Sequence, residues 1–171
     1  MSEPGPAASA AMAIPDIATL TYLSSLVVVG RVASAAVSTQ APQSVQTPIG
    51  QSRPTSPQSP SGITVPITTY QVDVERTLRG TPPAQLTVTQ IGNPIRNAIP
   101  SPDDAPLVQA ERYVLFLQPS GSGDGSYAAV GDIQGRLALD AQDRLHVIGS
   151  GSPATRPFDG QPLSTLIAAL P

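Results

Sequence analysis

The sequence predicts a mostly β protein: a single, closed or nearly closed β-barrel of about six strands, with a short N-terminal helix and a C-terminal helix. Three observations predict it. The 171 residues include 20 prolines, and proline marks where a strand is interrupted. The windows between the prolines hold runs rich in Val, Ile, Leu, Thr and Tyr. The end of the chain carries an apolar stripe at helical spacing.

The first elements follow a short arm. Residues 1–15 are predicted to be a flexible N-terminal arm, and residues 16–171 to form the barrel domain. Asp16 is a suitable N-cap for a short helix that carries Ile17, Leu20 and Leu23. The run LVVVGRVASAAV over residues 26–37 is dense in β-branched residues, so it predicts a strand that is buried on both faces near its start.

Residues 38–62 change character, because they are rich in Pro, Ser and Gln and carry a single charge, at Arg53. Such a segment buries too little apolar surface to offset the entropy lost on ordering. It predicts a mobile loop between two strands, either a passive insertion, which we favour, or a segment ordered by a partner. The segment from Arg53 to Pro57 has a PxxP-like spacing, although a passive extended linker is favoured over a peptide ligand.

The rest of the chain continues the β pattern. Apolar and polar residues alternate around Tyr70, Val72 and Val74, as in a strand with one solvent-exposed face. A second Pro-rich loop is predicted over residues 92–110. The predicted later elements are strands over residues 67–78, 86–91, 112–117 and 127–130, a hairpin over 137–139 and 145–147, and a helix near 162–170.

Composition excludes several classes of protein. The chain has no cysteine, which excludes disulfides and thiolate chemistry, and one histidine, which excludes a multi-histidine metal site. No cofactor is predicted. The net charge is −3 and aromatic residues make up 4%, so a nucleic-acid partner is not expected. No stretch is apolar enough to predict a transmembrane segment. The chain begins without a basic region, so it is either intracellular or lacks its natural leader.

Candidate catalytic groups are few. His146 would have to be the base of a Ser-His-acid hydrolase, but strand alternation predicts that it is exposed beside Arg144. Two pairs of carboxylates could act in acid–base catalysis: the neighbours Asp103 and Asp104, and the turn residues Asp140 and Asp143. A structural role is favoured for both pairs. Asp124, in the Gly-rich turn 121–125, is a single carboxylate and does not predict a calcium site, nor does the turn match a phosphate-binding loop.

The arginines are scattered along the chain, and five of them, from different predicted elements, could line a binding face. Surface pairing with Asp73, Glu75 or Glu111 is the default interpretation. The five are Arg31, Arg76, Arg79, Arg112 and Arg136.

The order of the strand motifs LVVVGRV, TTYQVDVERTLRG, QLTVTQIG, ERYVLFL and YAAVGDIQGRLALD resembles a class of bacterial domains. These are similar to the netrin-like, tissue-inhibitor-of-metalloproteinase-like barrel, an OB-type fold, and the resemblance covers residues 17 to 148. It implies a binding barrel, and it favours an extracytoplasmic location. Inhibition through an N-terminal cysteine does not carry over, because the chain has none.

These observations predict a non-enzymatic binding or interaction module. A protein partner is expected first, and a cell-surface glycan is less favoured. The candidate partner-binding residues are Gln51, Arg53 and Gln58, while Tyr70 and Tyr113 are assigned to the core. The alternative is a structural subunit of a surface or extracellular assembly, in which the loop or the N-terminal arm orders against a neighbour by self-association. A hydrolase that uses His146 is a third hypothesis.

Overall fold

The computed structural model describes residues 13–40, 65–91 and 105–171. Within these ranges the chain forms two helices and seven strands, with short 3₁₀ turns at Asp132–Gly135 and Arg156–Phe158. In chain order the elements are α1 (Ile17–Leu23), β1 (Leu26–Gln40), β2 (Val65–Arg79), β3 (Gln85–Ile91), β4 (Arg112–Pro119), β5 (Tyr127–Ala129), β6 (Arg136–Leu139), β7 (Leu145–Val147) and α2 (Leu163–Ala169).

Five strands close a barrel in the order β1-β2-β3-β5-β4, because β4 also pairs with β1. The pairing of β3 with β5 is parallel and the other pairings are antiparallel. The hairpin of β6 and β7 lies outside the barrel and extends it from the edge of β4. The predicted fold class, an OB-like barrel with a short helix at each end of the chain, is confirmed.

The strand β1 bends as it passes from β4 to β2. Its register with β2 shifts at three points, the second of them between Val29 and Gly30. A Cβ atom at Gly30 would collide with the side chain of Val72 and lie 3.2 Å from the carbonyl oxygen of Asp73. Glycine therefore allows the close approach of β1 and β2 that closing a small barrel requires.

The alternating side chains of β1 and β4 supply two separate cores. One fills the barrel and contains Val28, Tyr70, Val72, Tyr113 and Leu115, so the expectation that both tyrosines are core residues is confirmed. The other lies between the outer face of β1 and β4 and the two helices. It includes Val29, Phe116, Leu137, Leu145, Leu20 and Leu166. This double use explains why β1 and β4 are apolar on both faces.

Two predicted boundaries are wrong. The predicted loop 38–62 starts too early, because the backbone of residues 38–40 continues β1 and pairs with residues 65–67 of β2. Ladder hydrogen bonds there outweigh the low hydrophobicity of Ser38 and its neighbours. The predicted flexible arm ends too late, because Ile14 is buried and its backbone N–H donates to Gln134 Oε1 at 2.8 Å. Residues 1–12 lie outside the described part of the chain.

Candidate functional site

A cleft of about 490 Å³ opens on the outer face of the barrel. It lies where β2 and β3 run side by side, between the end of β1 and the turn that joins β4 to β5. Six parts of the fold contribute residues to its lining, and most of their side chains are small. The lining residues are Ser38, Ile67, Thr69, Thr89, Gln90, Ile91, Ser120, Gly121, Ser122, Asp124, Ala128, Ala129 and Asp132.

The floor of the cleft is formed by the side chains of β2 and β3 that point out of the barrel. Tyr70 points into the barrel, where it is buried, so Ile67 and Thr69 point outward from β2. The register sets Ile67 opposite Ile91 and Thr69 opposite Thr89 on β3. The floor therefore carries an apolar pair next to a hydroxyl pair. The Ile91 side chain is 76% exposed, so its apolar surface is accessible to a ligand.

Hydrogen bonds below the floor hold β3 in place. The Tyr70 hydroxyl donates to Gln90 Oε1 at 3.0 Å and accepts from the backbone N–H of Leu107 at 3.3 Å. Burial raises the pKa of this hydroxyl, and the Leu107 bond opposes the rise. The tyrosine therefore stays neutral and ties the inner surface of the barrel to the chain that leads into β4.

The β4–β5 turn forms one wall and carries a fixed negative charge. Asp124 Oδ1 accepts from the Ser122 hydroxyl at 2.6 Å, from the backbone N–H of Ser126 at 2.9 Å and from the Ser126 hydroxyl. The hydroxyl of Ser120 joins the same cluster through Ser122 and Ser126. The hydroxyl bonds from Ser122 and Ser126 lower the pKa of the Asp124 carboxyl to about 2. Asp124 is therefore a carboxylate at any physiological pH.

The lining contains a second carboxylate, Asp132, which follows β5. Asp132 Oδ1 accepts from the Arg136 guanidinium at 3.1 Å. The Arg136 side chain is only 2% exposed and also donates to the carbonyl oxygen of Ala105 at 2.7 Å. This arginine is therefore part of the framework behind the cleft and does not form its surface.

The outer face beside the cleft is polar and nearly neutral. Gln71 and Thr87 exchange a side-chain hydrogen bond at 3.2 Å, and Gln85 donates to Asp73 at 2.8 Å. The described lining of the cleft contains no arginine, histidine or aromatic side chain. The described lining therefore offers no cation to a phosphate group and no aromatic ring on which a base could stack.

The default interpretation of the arginines, surface pairing with acidic residues, holds for Arg31 and Arg112. Arg31 and Arg112 meet on Glu75, with Nε–Oε distances of 3.1 and 2.7 Å, and Arg112 also reaches Asp143 at 2.8 Å. Partial burial raises the pKa of Glu75, but the hydrogen bonds from both arginines outweigh it, and the net shift is downward. This network joins β1, β2, β4 and the β6–β7 turn on another part of the surface, away from the cleft lining.

The carboxylate that pairs with His146 is Asp140, with Nε2 and Oδ2 2.8 Å apart. The imidazole is half exposed on β7, as the strand alternation predicts. Asp140 Oδ1 also accepts from the backbone N–H groups of Gln142 and Arg144, at 2.9 Å each, which closes the hairpin turn. Neither residue belongs to the described lining of the cleft, so the pair has a structural role in the hairpin.

The residues predicted to bind a partner, Gln51, Arg53 and Gln58, lie outside the described residues, as do Asp103 and Asp104. In the described ranges no three acidic or histidine side chains come together in a way that would hold a metal ion. Nor is any helix in those ranges long and apolar enough to cross a membrane.

Sequence analysis missed the cleft because its residues come from separate segments between Ser38 and Asp132. One available signal was the outward pair on each of two neighbouring strands, Ile67 with Thr69 and Thr89 with Ile91. Another was the predicted barrel class, since OB-type barrels bind ligands on the face of their second and third strands. In the sequence, Asp124 is a lone carboxylate in a Gly-rich turn, and that pattern does not predict its place in the cleft.

A scan against protein-family models finds no family that matches this chain, and a search of the curated proteins finds no match either. The resemblance to netrin-like barrels therefore stays a prediction.

Proposed function

We propose that this protein is a non-enzymatic binding module that holds a segment of a protein partner in the cleft on the outer face of β2 and β3. The observation that carries the proposal is the cleft itself. It is formed by regular strands and a hydrogen-bonded turn, and it lies on the face that OB-type barrels use for ligands. A preformed site of this kind costs little ordering entropy on binding.

The chemistry of the lining favours a polypeptide ligand. The Thr69 hydroxyl would donate to a backbone carbonyl of an extended segment. The Thr89 hydroxyl, which already donates to the Tyr127 carbonyl, would accept from a backbone N–H. An aliphatic side chain would cover the Ile67–Ile91 pair. A nucleic acid is disfavoured because the described lining offers no cation and no aromatic ring. A glycan is less favoured, since sugar rings usually stack on aromatic faces.

The same lining disfavours an enzyme. General acid–base catalysis is most efficient when the pKa of the catalytic group lies near the working pH. The pKa of Asp124 is about 2, and its Oδ1 atom already accepts several hydrogen bonds. Asp132 is bound to Arg136. His146 is on the β6–β7 hairpin and outside the described lining.

The test is a selection of random linear peptides displayed on phage against the full chain and a cleft-blocking variant. Thr69→Trp places a large side chain on the cleft floor at a strand position that tolerates aromatic residues. Enriched peptides should bind the variant at least about tenfold more weakly, a loss of about 1.4 kcal/mol. Gln85→Trp is the matched control, because Gln85 is exposed on the outer face of β3 but outside the lining.

The proposal fails if no peptide is enriched over an unrelated barrel used as bait. It also fails if enriched peptides bind the Thr69→Trp variant as tightly as they bind the Gln85→Trp control.

A further inference from the structure

Among the described residues, the C-terminal half of β1, from Ser34 onward, is paired along only one of its two edges. On this side β4 pairs with β1 from Leu26 to Arg31. The chain just before β4 follows β1 a little further, since Val32 N–H donates to the carbonyl of Glu111 at 3.0 Å and Gln109 donates to the carbonyl of Ala33 at 3.0 Å. Beyond Ala33, the described strands pair with β1 only on its other edge, through β2.

Within residues 13–40, 65–91 and 105–171, this edge has none of the usual protection against pairing with another strand. Natural edge strands carry lysine, proline, an inward charge or a covering loop, because their free N–H and C=O groups otherwise accept a new partner. Residues 34–38 read SAAVS, with neither a charge nor a proline, and all five are exposed. Val37 is 37% exposed. Among the described residues, this edge is therefore uncovered, and its side chains are small and partly apolar.

The segment is also nearly symmetric about Ala36. In an antiparallel pair of identical strands, one residue lies opposite its own copy and the others pair at equal distances on either side. With Ala36 at the centre, Ser34 lies opposite Ser38 and Ala35 lies opposite Val37. Each pair combines small side chains, no like charges meet, and Val37 gains an apolar neighbour.

We propose that residues 34–38 of β1 pair antiparallel with the same segment of a second copy of this chain, so that two barrels share a continuous sheet across a two-fold axis. A second copy is favoured over a different extended peptide because the segment is complementary to itself. The dimer leaves the proposed cleft usable, since strands add in the plane of the sheet and the cleft opens on its outer face. Ser38 would then lie at the border between the cleft and the partner copy.

Cysteine cross-linking tests the register directly, because the chain contains no cysteine of its own. Opposite residues in an antiparallel pair have Cα atoms about 4.5–5.5 Å apart, within the range of a disulfide. Ala36→Cys should therefore form a covalent dimer under mild oxidation. Ser34→Cys is the matched control: its copy would lie four residues along the partner strand, about 13 Å away, and should not cross-link. The double variant with Ser34→Cys and Ser38→Cys should cross-link again.

Charge reversal gives an independent measurement of mass in solution. Ala36→Lys and Ala36→Glu should each be monomeric by light scattering, because like charges would face each other at the centre of the interface. An equal mixture of the two variants should show twice the mass of the chain. Far-UV circular dichroism of each variant checks that the exposed substitution leaves the barrel folded.

Two results would overturn the proposal. One is a wild-type chain that stays monomeric at the highest concentrations while Ala36→Cys fails to cross-link. The other is a dimer in which Ser34→Cys cross-links as readily as Ala36→Cys, since that would place the contact in another register or on another surface.

Discussion

At the scale of single residues, Asp124 shows how a turn can fix a charge without burying it. The hydroxyl groups of Ser122 and Ser126 and the backbone N–H of Ser126 all donate to the same carboxylate oxygen. They favour the ionised form, which lowers the folded-state pKa to about 2 from a usual value of 3.8. The stability that this shift contributes is complete above about pH 4 and is lost as the pH falls toward about 2.

We expect Ser126→Ala to raise the pKa of Asp124 part of the way toward its usual value, because one hydroxyl donor is lost while the Ser122 hydroxyl and the backbone N–H of residue 126 still donate. The measurement is a titration of side-chain carboxyl carbon shifts by NMR. Asp16 serves as an internal control, since its carboxylate accepts from Thr19 at a distant helix and should not respond. A wild-type Asp124 that titrates near 3.8 would mean that the turn is not formed in solution. If Asp124 titrates near 2, as expected, peptide binding to the cleft should vary with pH only in strongly acid solution.

At the scale of elements, α1 shows how a short helix depends on its cap. It has seven residues, too few to be stable alone. Asp16 accepts from the backbone N–H of Thr19 at 2.7 Å, and Leu20 is fully buried in the outer core. The helix therefore persists through one capping bond and one packed face.

Asp16→Ala should lower the free energy of unfolding and the urea midpoint, because the capping acceptor is removed. Asp16→Asn keeps an acceptor at the same position and is the matched control, expected to stay close to wild type. Urea denaturation of the three proteins gives the comparison. If the Asn variant loses as much stability as the Ala variant, the charge of Asp16 matters and the cap geometry does not.

The elements were largely predictable and the cleft was not, for related reasons. Proline and β-branched runs act locally, so the strands, the cap at Asp16 and the helix that begins at Leu163 follow from neighbouring residues. The extension of β1 through Gln40 depends on a ladder with β2, which a polar segment does not reveal. The cleft depends on register between distant strands: Thr69 faces Thr89 only because the hairpin of β2 and β3 pairs as it does.

At the scale of the whole molecule, β1 and β4 couple the two cores. On β4, Tyr113, Leu115 and Leu117 point into the barrel, while Val114 and Phe116 point toward the helices. Neither core can lose its packing without disturbing strands that the other core needs. We therefore expect the described fold to unfold as one cooperative unit, although α2 and the barrel interior share no residues.

Leu166→Ala tests this coupling from the far side of the molecule. Leu166 is fully buried on α2 in the outer core, so truncation should cost about 2–5 kcal/mol. The near-UV signal of the barrel tyrosines Tyr70 and Tyr113 should shift to the same lower denaturant midpoint as the far-UV signal. Leu23→Ala is the control, because Leu23 is 45% exposed and its truncation should change stability by less than about 0.5 kcal/mol. If the tyrosine signal kept its wild-type midpoint while the far-UV signal moved, the barrel would be stable without its helical layer, and the two cores would be independent.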